Sequence, residues 1–127
     1  MLFETPFAAI YSMTTAALDK WTRSDSQRLA KLGIRINSVL PGPIETNITN
    51  NGLPEDVDKK QIRETVVPSF VSVTPLAKEK RGSVDQVVPV FLFLADEASS
   101  SYITGVNWLV DGGSSSYAKP FPWIKND

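Results

Sequence analysis

Cysteine and histidine are both absent from this chain of 127 residues. Without cysteine, the chain has no disulfides, no thiol nucleophile and no thiolate metal site. Without histidine, it lacks the commonest general base and the commonest metal ligand, so we predict no metal site. Any catalysis must therefore use tyrosine, serine, threonine, lysine, arginine or carboxylate side chains.

A charge surplus and a long apolar run are absent as well. The formal net charge is -1, which gives no electrostatic reason to expect nucleic-acid or anionic-membrane binding. The first ten residues have no basic segment and include Glu4, which is not typical of a signal peptide. The longest apolar stretch, 87–95, is about half of what a bilayer span needs. We therefore expect a cytoplasmic protein without a membrane segment.

The composition, 42% hydrophobic and 21% charged, is typical of a globular chain of one modest domain. Thr5-Pro6 and Gly33 are typical start and stop signals, so we predict a helix over 6–32. Side chains that alternate between two faces predict a strand over 34–40. The sequence PGPIETN that follows predicts a loop, because two prolines and a glycine disfavour regular structure.

A second helix is predicted over 84–95. Ser83 and Gln86 have the spacing of a capping box, and apolar residues recur at helical spacing up to Ala95. Pro89 lies inside this helix and is expected to kink it. The segment 106–110 predicts a short strand that ends in a glycine turn at 111–113. Residues 47–75 leave the secondary structure open, with a short helix within 54–68 as one interpretation.

Strands separated by helices predict parallel pairing with crossover connections. Two strands are too few for a parallel sheet that is buried on both faces. The chain is therefore expected to form one end of a larger α/β fold.

Three segments in register resemble one family. They are Tyr11 with AAL at 16–18, GIRINSVLPGPIET at 33–46, and ITGVNWLVDGG at 103–113. Their order and spacing resemble the C-terminal half of short-chain dehydrogenases/reductases over most of residues 6–113. The resemblance implies the C-terminal portion of a Rossmann-like, doubly wound parallel sheet, with about two strands, flanking helices and the N-terminal half missing.

The resemblance divides the chain into a partial Rossmann-like domain at 1–113, including a substrate-lid-like region at 47–82, and an irregular tail at 114–127. It also implies NAD or NADP as cofactor.

The family's glycine-rich phosphate loop, T-G-x-x-x-G-x-G, does not occur in the sequence, and neither do its N-A-G segment, its catalytic serine and its catalytic asparagine. Neither the substrate nor the choice between NAD and NADP can be predicted, because the lid has no signature and the deciding residue belongs to the missing half.

The resemblance implies a catalytic tyrosine at Tyr11 and a nicotinamide-binding loop at 41–46. Pro41 and Gly42 would shape this loop, backbone groups near Ile44 would meet the carboxamide, and the Thr46 hydroxyl would bond to the cofactor. A plain turn at 41–42 and a loop hydroxyl that caps the following turn at Thr46 are the structural alternatives. The turn at 111–113 is interpreted as structural.

The family's lysine, one helical turn after the tyrosine, is replaced by Thr15. In the family this lysine lowers the pKa of the catalytic phenol and grips the cofactor ribose, whereas threonine carries no charge. Lys20 is no substitute, since it lies about 180° round the helix and about 13 Å along it, and Arg23 points about 120° away. A packed helical aromatic is the structural alternative for Tyr11.

Three hypotheses remain. The chain is a piece of a reductase that is inactive alone, or a non-catalytic module that docks onto an intact relative, or a degenerate product without a stable fold. The first is favoured. We also expect a homo-oligomer or a complex with a full-length relative, because the last helix and strand carry apolar residues that a larger sheet would cover: Val87, Val88, Phe91, Leu94, Trp108 and Val110.

Overall fold

The computed structural model describes residues 9–47, 60, 64, 67–77 and 81–116. The elements in chain order are α1 (Ala9–Ala30), β1 (Ser38–Pro41), α2 (Val67–Ser72), α3 (Val84–Ala95), α4 (Glu97–Ser100) and β2 (Asn107–Val110). The two strands pair in parallel, with Ser38 opposite Asn107 and Pro41 opposite Val110. The predicted α/β class, with two parallel strands and flanking helices, is confirmed.

The end of α1 follows the predicted stop signal. Gly33 has a φ of 73°, in the left-handed region that favours glycine, and its amide donates to the Ala30 carbonyl at 3.0 Å. The Ile34 amide then donates to the Leu29 carbonyl at 3.0 Å. The predicted start of this helix at 6–8 lies outside the described residues.

The contact between α1 and the sheet uses small polar side chains. Thr22 and Ser26 are buried, and their hydroxyls donate to carbonyls of their own helix. Gly105 lies directly against them, since a Cβ built on it would stand 2.6 Å from Ser26 Oγ. Gly105 also has a φ of 75°, so space and backbone conformation both require glycine. This allows α1 to approach the sheet closely.

The strand predicted over 34–40 is shorter in the structure and begins at Ser38. The predicted alternation of faces agrees with the structure, because Arg35, Asn37 and Val39 line the same cavity. The amide of Ile36 donates to the hydroxyl of Thr104 at 3.1 Å. The Ile36 carbonyl accepts from the Gly105 amide at 2.7 Å. Before Ser38 the backbone and side-chain hydrogen bonds alternate and form no regular ladder, and this is why the prediction placed the strand start too early.

Asn37 joins the two strands just before they pair. Its Nδ2 donates to the Ile103 carbonyl at 3.0 Å, and its Oδ1 accepts from the Val106 amide at 3.1 Å. Arg35 adds a bond from Nη2 to the Leu94 carbonyl at 2.9 Å, near the end of α3. The amino ends of both strands are therefore fastened to each other and to α3.

The bounds of α3 agree with the prediction, and Pro89 lies inside the helix. The side-chain oxygen of Gln86 accepts from the Ser83 amide at 2.8 Å, as the capping-box spacing predicts. Phe93 meets Trp108 edge-on, with ring centroids 5.7 Å apart. Asn107, which precedes Trp108, donates instead to the α1 carbonyl of Asp19 at 3.5 Å. Because neighbouring strand residues point to opposite faces, α1 and α3 lie on opposite sides of the sheet.

Two short helices complete the description. The sequence analysis missed α4, which begins after Asp96, where Asp96 Oδ1 accepts from the Ala98 amide at 3.2 Å. The helix α2 falls in the segment where the secondary structure was left open. The interpretation of a helix within 54–68 lies largely outside the described residues. No described helix combines the length and apolar character needed to cross a membrane.

Much apolar surface is exposed in the described part of the chain, and Val87 is its one buried hydrophobic residue. On α1, the exposed fractions of Ile10, Met13 and Trp21 are 76%, 66% and 52%. Of the six residues predicted to lack an intramolecular partner, Val88 and Phe91 are exposed and Val87 is buried. The other three are half-buried: Leu94, Trp108 and Val110.

Candidate functional site

The loop at 41–46 leaves the carboxyl end of β1, and its first fixed point is the end of β2. The Gly42 amide donates to the Val110 carbonyl at 3.0 Å. A Cβ built on Gly42 would stand 2.6 Å from the Cα of Asp111. The backbone of Asp111 therefore occupies the space that any side chain at this position would need.

The second fixed point is a parallel bridge between Ile44 and Gly82. The Gly82 amide donates to the Pro43 carbonyl at 3.0 Å, and the Glu45 amide donates to the Gly82 carbonyl at 2.8 Å. In this bridge geometry the N–H and C=O of Ile44 itself point away from Gly82. Within the described residues neither group has a hydrogen-bond partner.

Ile44 therefore presents a backbone donor and a backbone acceptor next to each other. A primary carboxamide is a matching ligand, since it carries a carbonyl acceptor and an NH₂ donor. The position also fits, because ligands of open α/β sheets bind outside the carboxyl ends of the strands. Thr46 is exposed at the end of the same loop. Among the described residues, no group of three or more acidic side chains is placed to hold a metal.

Tyr11 lies near the start of α1, and 69% of its surface is exposed. The hydroxyl of Thr15 donates to the Tyr11 backbone carbonyl at 2.9 Å, and that of Thr14 does the same at 2.9 Å. The Thr15 hydroxyl is thus bonded to the Tyr11 backbone and not to the phenol. Among the described residues, no hydrogen bond joins the Tyr11 phenol to the loop at 41–46.

The turn at 111–116 is built round the Asp111 carboxylate. One oxygen accepts from the Gly113 amide at 3.0 Å, and the other accepts from the Ser115 amide at 2.8 Å. The hydroxyls of Ser114 and Ser115 also donate to it. Partial burial raises the pKa of Asp111, but the hydrogen bonds from Ser115, Gly113 and Ser114 outweigh it and leave this pKa below its ordinary value.

The same turn holds the segment that follows α2. The Leu76 amide donates to the Gly112 carbonyl at 3.0 Å. A Cβ built on Gly112 would stand 2.7 Å from Cγ2 of Thr74, which is buried. Part of the lid-like region thus rests on the end of β2. The sequence analysis interpreted the turn as structural and missed these contacts, for which the glycine pair after Asp111 is the only local signal.

A sequence profile for the family described as enoyl-(acyl carrier protein) reductase matches residues 3–115. The short-chain dehydrogenase reductase ATA1 of Arabidopsis thaliana is 30% identical over 117 residues, which cover 91% of this chain and 43% of that protein. The chain belongs to the short-chain dehydrogenase/reductase family. The ribulose-forming D-arabinitol 2-dehydrogenase of Scheffersomyces stipitis is 36% identical over 104 residues, which cover 82% of this chain and 34% of that protein.

Solved structures are also similar to this chain. A short-chain dehydrogenase/reductase of unknown function from Caenorhabditis elegans, solved with cofactor, matches with a TM-score of 0.68 and 37% identity. The match covers 86% of this chain and 39% of that one. A putative D-mannonate oxidoreductase from Haemophilus influenza with bound NAD matches with a TM-score of 0.64 and 29% identity, over 85% and 37% of the two chains. The chain therefore spans less than half the length of each of these relatives.

Proposed function

We propose that this chain supplies the nicotinamide-facing part of an NAD(P)-dependent oxidoreductase that acts on a carbonyl or hydroxyl group. The observation that carries the proposal is the backbone of Ile44, whose N–H and C=O are left open by the bridge to Gly82. A D-arabinitol 2-dehydrogenase among the relatives and NAD in a solved relative support this class of substrate and cofactor. A bound nicotinamide would supply hydride transfer.

The chain would contact one end of a dinucleotide. Pro41 and Gly42 set the direction of the loop, the Ile44 backbone would bind the carboxamide, and the Thr46 hydroxyl, at the far end of the loop, would bond to the cofactor. The pyrophosphate of a dinucleotide is normally held by a glycine-rich turn at a helix N-terminus. The sequence contains no such motif. We therefore expect this chain to bind NAD(H) or NADP(H) no more tightly than about 1 mM, a free energy of about -4 kcal/mol.

Tyr11 is the proposed proton donor and acceptor for the substrate oxygen. A phenolate at this position needs a neighbouring positive charge, and Thr15 carries none. The Thr15 hydroxyl is already bonded to the Tyr11 carbonyl. We therefore propose that this chain by itself does not catalyse, and that activity needs the phosphate-binding part of the fold from elsewhere.

The test is an NMR titration of the isotope-labelled chain with nicotinamide mononucleotide, and separately with AMP. Nicotinamide mononucleotide at millimolar concentration should shift the amides of Ile44 and Thr46, whereas AMP should not. Ile44→Ala is the matched control, because it keeps both backbone groups and should retain the response. Equal shifts with AMP, or none with nicotinamide mononucleotide, would contradict the proposal. Micromolar binding of NADH in calorimetry would contradict the expected weak affinity.

A second candidate function is a non-catalytic module that docks onto an intact relative. The exposed face of α1 favours it, since Ile10, Met13 and Trp21 lie on the side of the helix away from Thr22 and Ser26. The test is co-purification with a full-length member of the family. Trp21→Glu should abolish the association, while a substitution at the polar residue Arg23 should not.

A further inference from the structure

We propose that Asp111 is a positioning residue. It holds the loop at 41–46 and the segment after α2 in a fixed relation, so that a displacement of one segment also displaces the other. The substrate-side and cofactor-side parts of the site would then keep a fixed relation to each other. The identity of the two sides rests on the proposed function. The mechanical coupling rests only on the contacts of the Asp111 turn.

Three segments that are distant in sequence meet at this turn. Gly42 lies against the backbone of Asp111, where a Cβ would stand 2.6 Å from Cα and 2.9 Å from the carbonyl oxygen. Gly112 accepts from the Leu76 amide at 3.0 Å. A Cβ on Gly113 would stand 3.4 Å from the Pro75 ring. A change in the turn must therefore reach both neighbours.

The carboxylate fixes the turn in one of the many conformations that its two glycines allow. Gly112 and Gly113 have φ angles of 62° and 88°, two successive residues with positive φ. Asp111 accepts the amides of Gly113 and Ser115 across this reversal, at 3.0 Å and 2.8 Å. These bonds fix the direction of the Gly112 carbonyl and hence its bond to Leu76.

A second contact extends this coupling to the other end of the lid-like region. Gly82, the last residue of the 47–82 segment, lies opposite Ile44 in the parallel bridge. Its amide donates to the Pro43 carbonyl at 3.0 Å, and its carbonyl accepts from the Glu45 amide at 2.8 Å. The segment after α2 and Gly82 thus both connect to the loop, the first through the Asp111 turn and the second directly. A ligand that moves residues 74–76 or Gly82 would therefore also move the Ile44 backbone.

Asp96 provides a matched control within the same chain. It also accepts a backbone amide, that of Ala98 at 3.2 Å, and a hydroxyl, that of Ser99. Its pKa is lowered by these bonds, of which the Ser99 hydroxyl is the largest cause. Among the described residues, all hydrogen bonds of Asp96 stay within four positions of it. It therefore reproduces the local chemistry of Asp111 without the distant contacts.

The experiment is amide hydrogen exchange by NMR on the full chain and on Asp111→Ala, Asp111→Asn and Asp96→Ala. In Asp111→Ala we expect about tenfold faster exchange at the amides of Leu76 and Gly42, since the turn loses the charge-assisted hydrogen bonds that its carboxylate accepts. Asp111→Asn keeps an acceptor for Gly113 and should give a smaller effect in the same direction. Asp96→Ala should leave both amides unchanged.

The proposal is overturned if exchange accelerates only at Gly113 and Ser115, or if protection falls equally along α1, because Asp111 would then act locally or on the whole fold. A second readout is the response to nicotinamide mononucleotide. Its shift at the Ile44 amide should shrink in Asp111→Ala, recover partly in Asp111→Asn and persist in Asp96→Ala. If the unaltered chain gives no shift, the proposed function fails while the exchange result still decides the coupling.

Discussion

Gly42 and Asp111 lie backbone against backbone at the carboxyl end of the sheet, with 2.6 Å between the position of a Gly42 Cβ and the Asp111 Cα. Gly42 is not among the glycines with positive φ. Space and not backbone conformation therefore requires glycine here. The contact joins the end of β1 to the end of β2 and gives the loop at 41–46 its starting direction.

Gly42→Ala should destabilise the chain by about 1–3 kcal/mol, because the nearest atoms belong to backbone that cannot rotate away. Urea denaturation followed by circular dichroism measures the change. Gly33→Asn is the control, since nothing lies within 4 Å of a Cβ at Gly33 and asparagine tolerates its φ of 73°. Equal stabilities of the two variants would show that the Asp111 backbone can move away from Gly42 without a loss of folding free energy.

The stability of the chain should depend on the ionisation of Asp111. Its folded-state pKa lies below the unfolded value of about 3.9, so the carboxylate stabilises the fold above that pH. This contribution is lost as pH falls through the lower folded-state pKa. The measurement is a series of thermal melts from neutral pH to acid pH for the unaltered chain and for Asp111→Asn. The difference in Tm between the two should be largest at neutral pH and should shrink below about pH 4. A constant difference across the range would rule out this linkage.

Thr15→Lys should raise activity in a complex where an intact partner half and NAD(P) are supplied. General acid–base catalysis contributes about 10²–10⁴-fold, and a cation one turn from Tyr11 should recover part of that factor. Ala17→Lys is the control, because Ala17 is exposed and points about 120° away from Tyr11 round the helix. Tyr11→Phe should remove the gain. If Thr15→Lys and Ala17→Lys raise steady-state turnover equally, the added charge acts by general attraction of the ligand and not at Tyr11.

The chain should associate with itself or with a larger relative. Exposure of several hundred Å² of apolar surface costs on the order of 10 kcal/mol, which is comparable to the stability of a whole domain. Light scattering on the purified chain should show species larger than a monomer. Trp21→Glu and Leu92→Glu, on opposite sides of the sheet, should identify which helix forms the contact. A monodisperse monomer with a cooperative melt would be the opposite outcome.

Local signals account for what could be predicted from the sequence. The bounds of α3 follow from the Ser83–Gln86 capping spacing and from apolar residues at helical intervals, all within the helix itself. The end of α1 follows from Gly33. The start of β1 could not be predicted, because it depends on hydrogen bonds that join Ile36 and Asn37 to partners more than 60 positions away.

In the candidate site, too, some features could be predicted from the sequence and others depend on contacts between distant segments. Pro41, Gly42, Ile44 and Thr46 were assigned by resemblance, and the structure adds the reason why the Ile44 backbone faces outward. That reason is Gly82, whose bridge to Ile44 leaves no trace in either local sequence. The contacts of the Asp111 turn with the segment after α2 were missed for the same reason, because hydrogen bonds between distant segments produce no recurring pattern of residues in the sequence.

Asn37 occupies both of its amide groups at the amino ends of the strands, whereas the Ile44 backbone is open at the carboxyl end. At the amino end, substitutions of Asn37 are therefore expected to act through folding alone. At the carboxyl end, Gly42 and Asp111 hold the same loop that carries Ile44. Substitutions there are expected to change the stability of the chain and the position of the open backbone groups together, so binding at this end cannot be altered independently of folding.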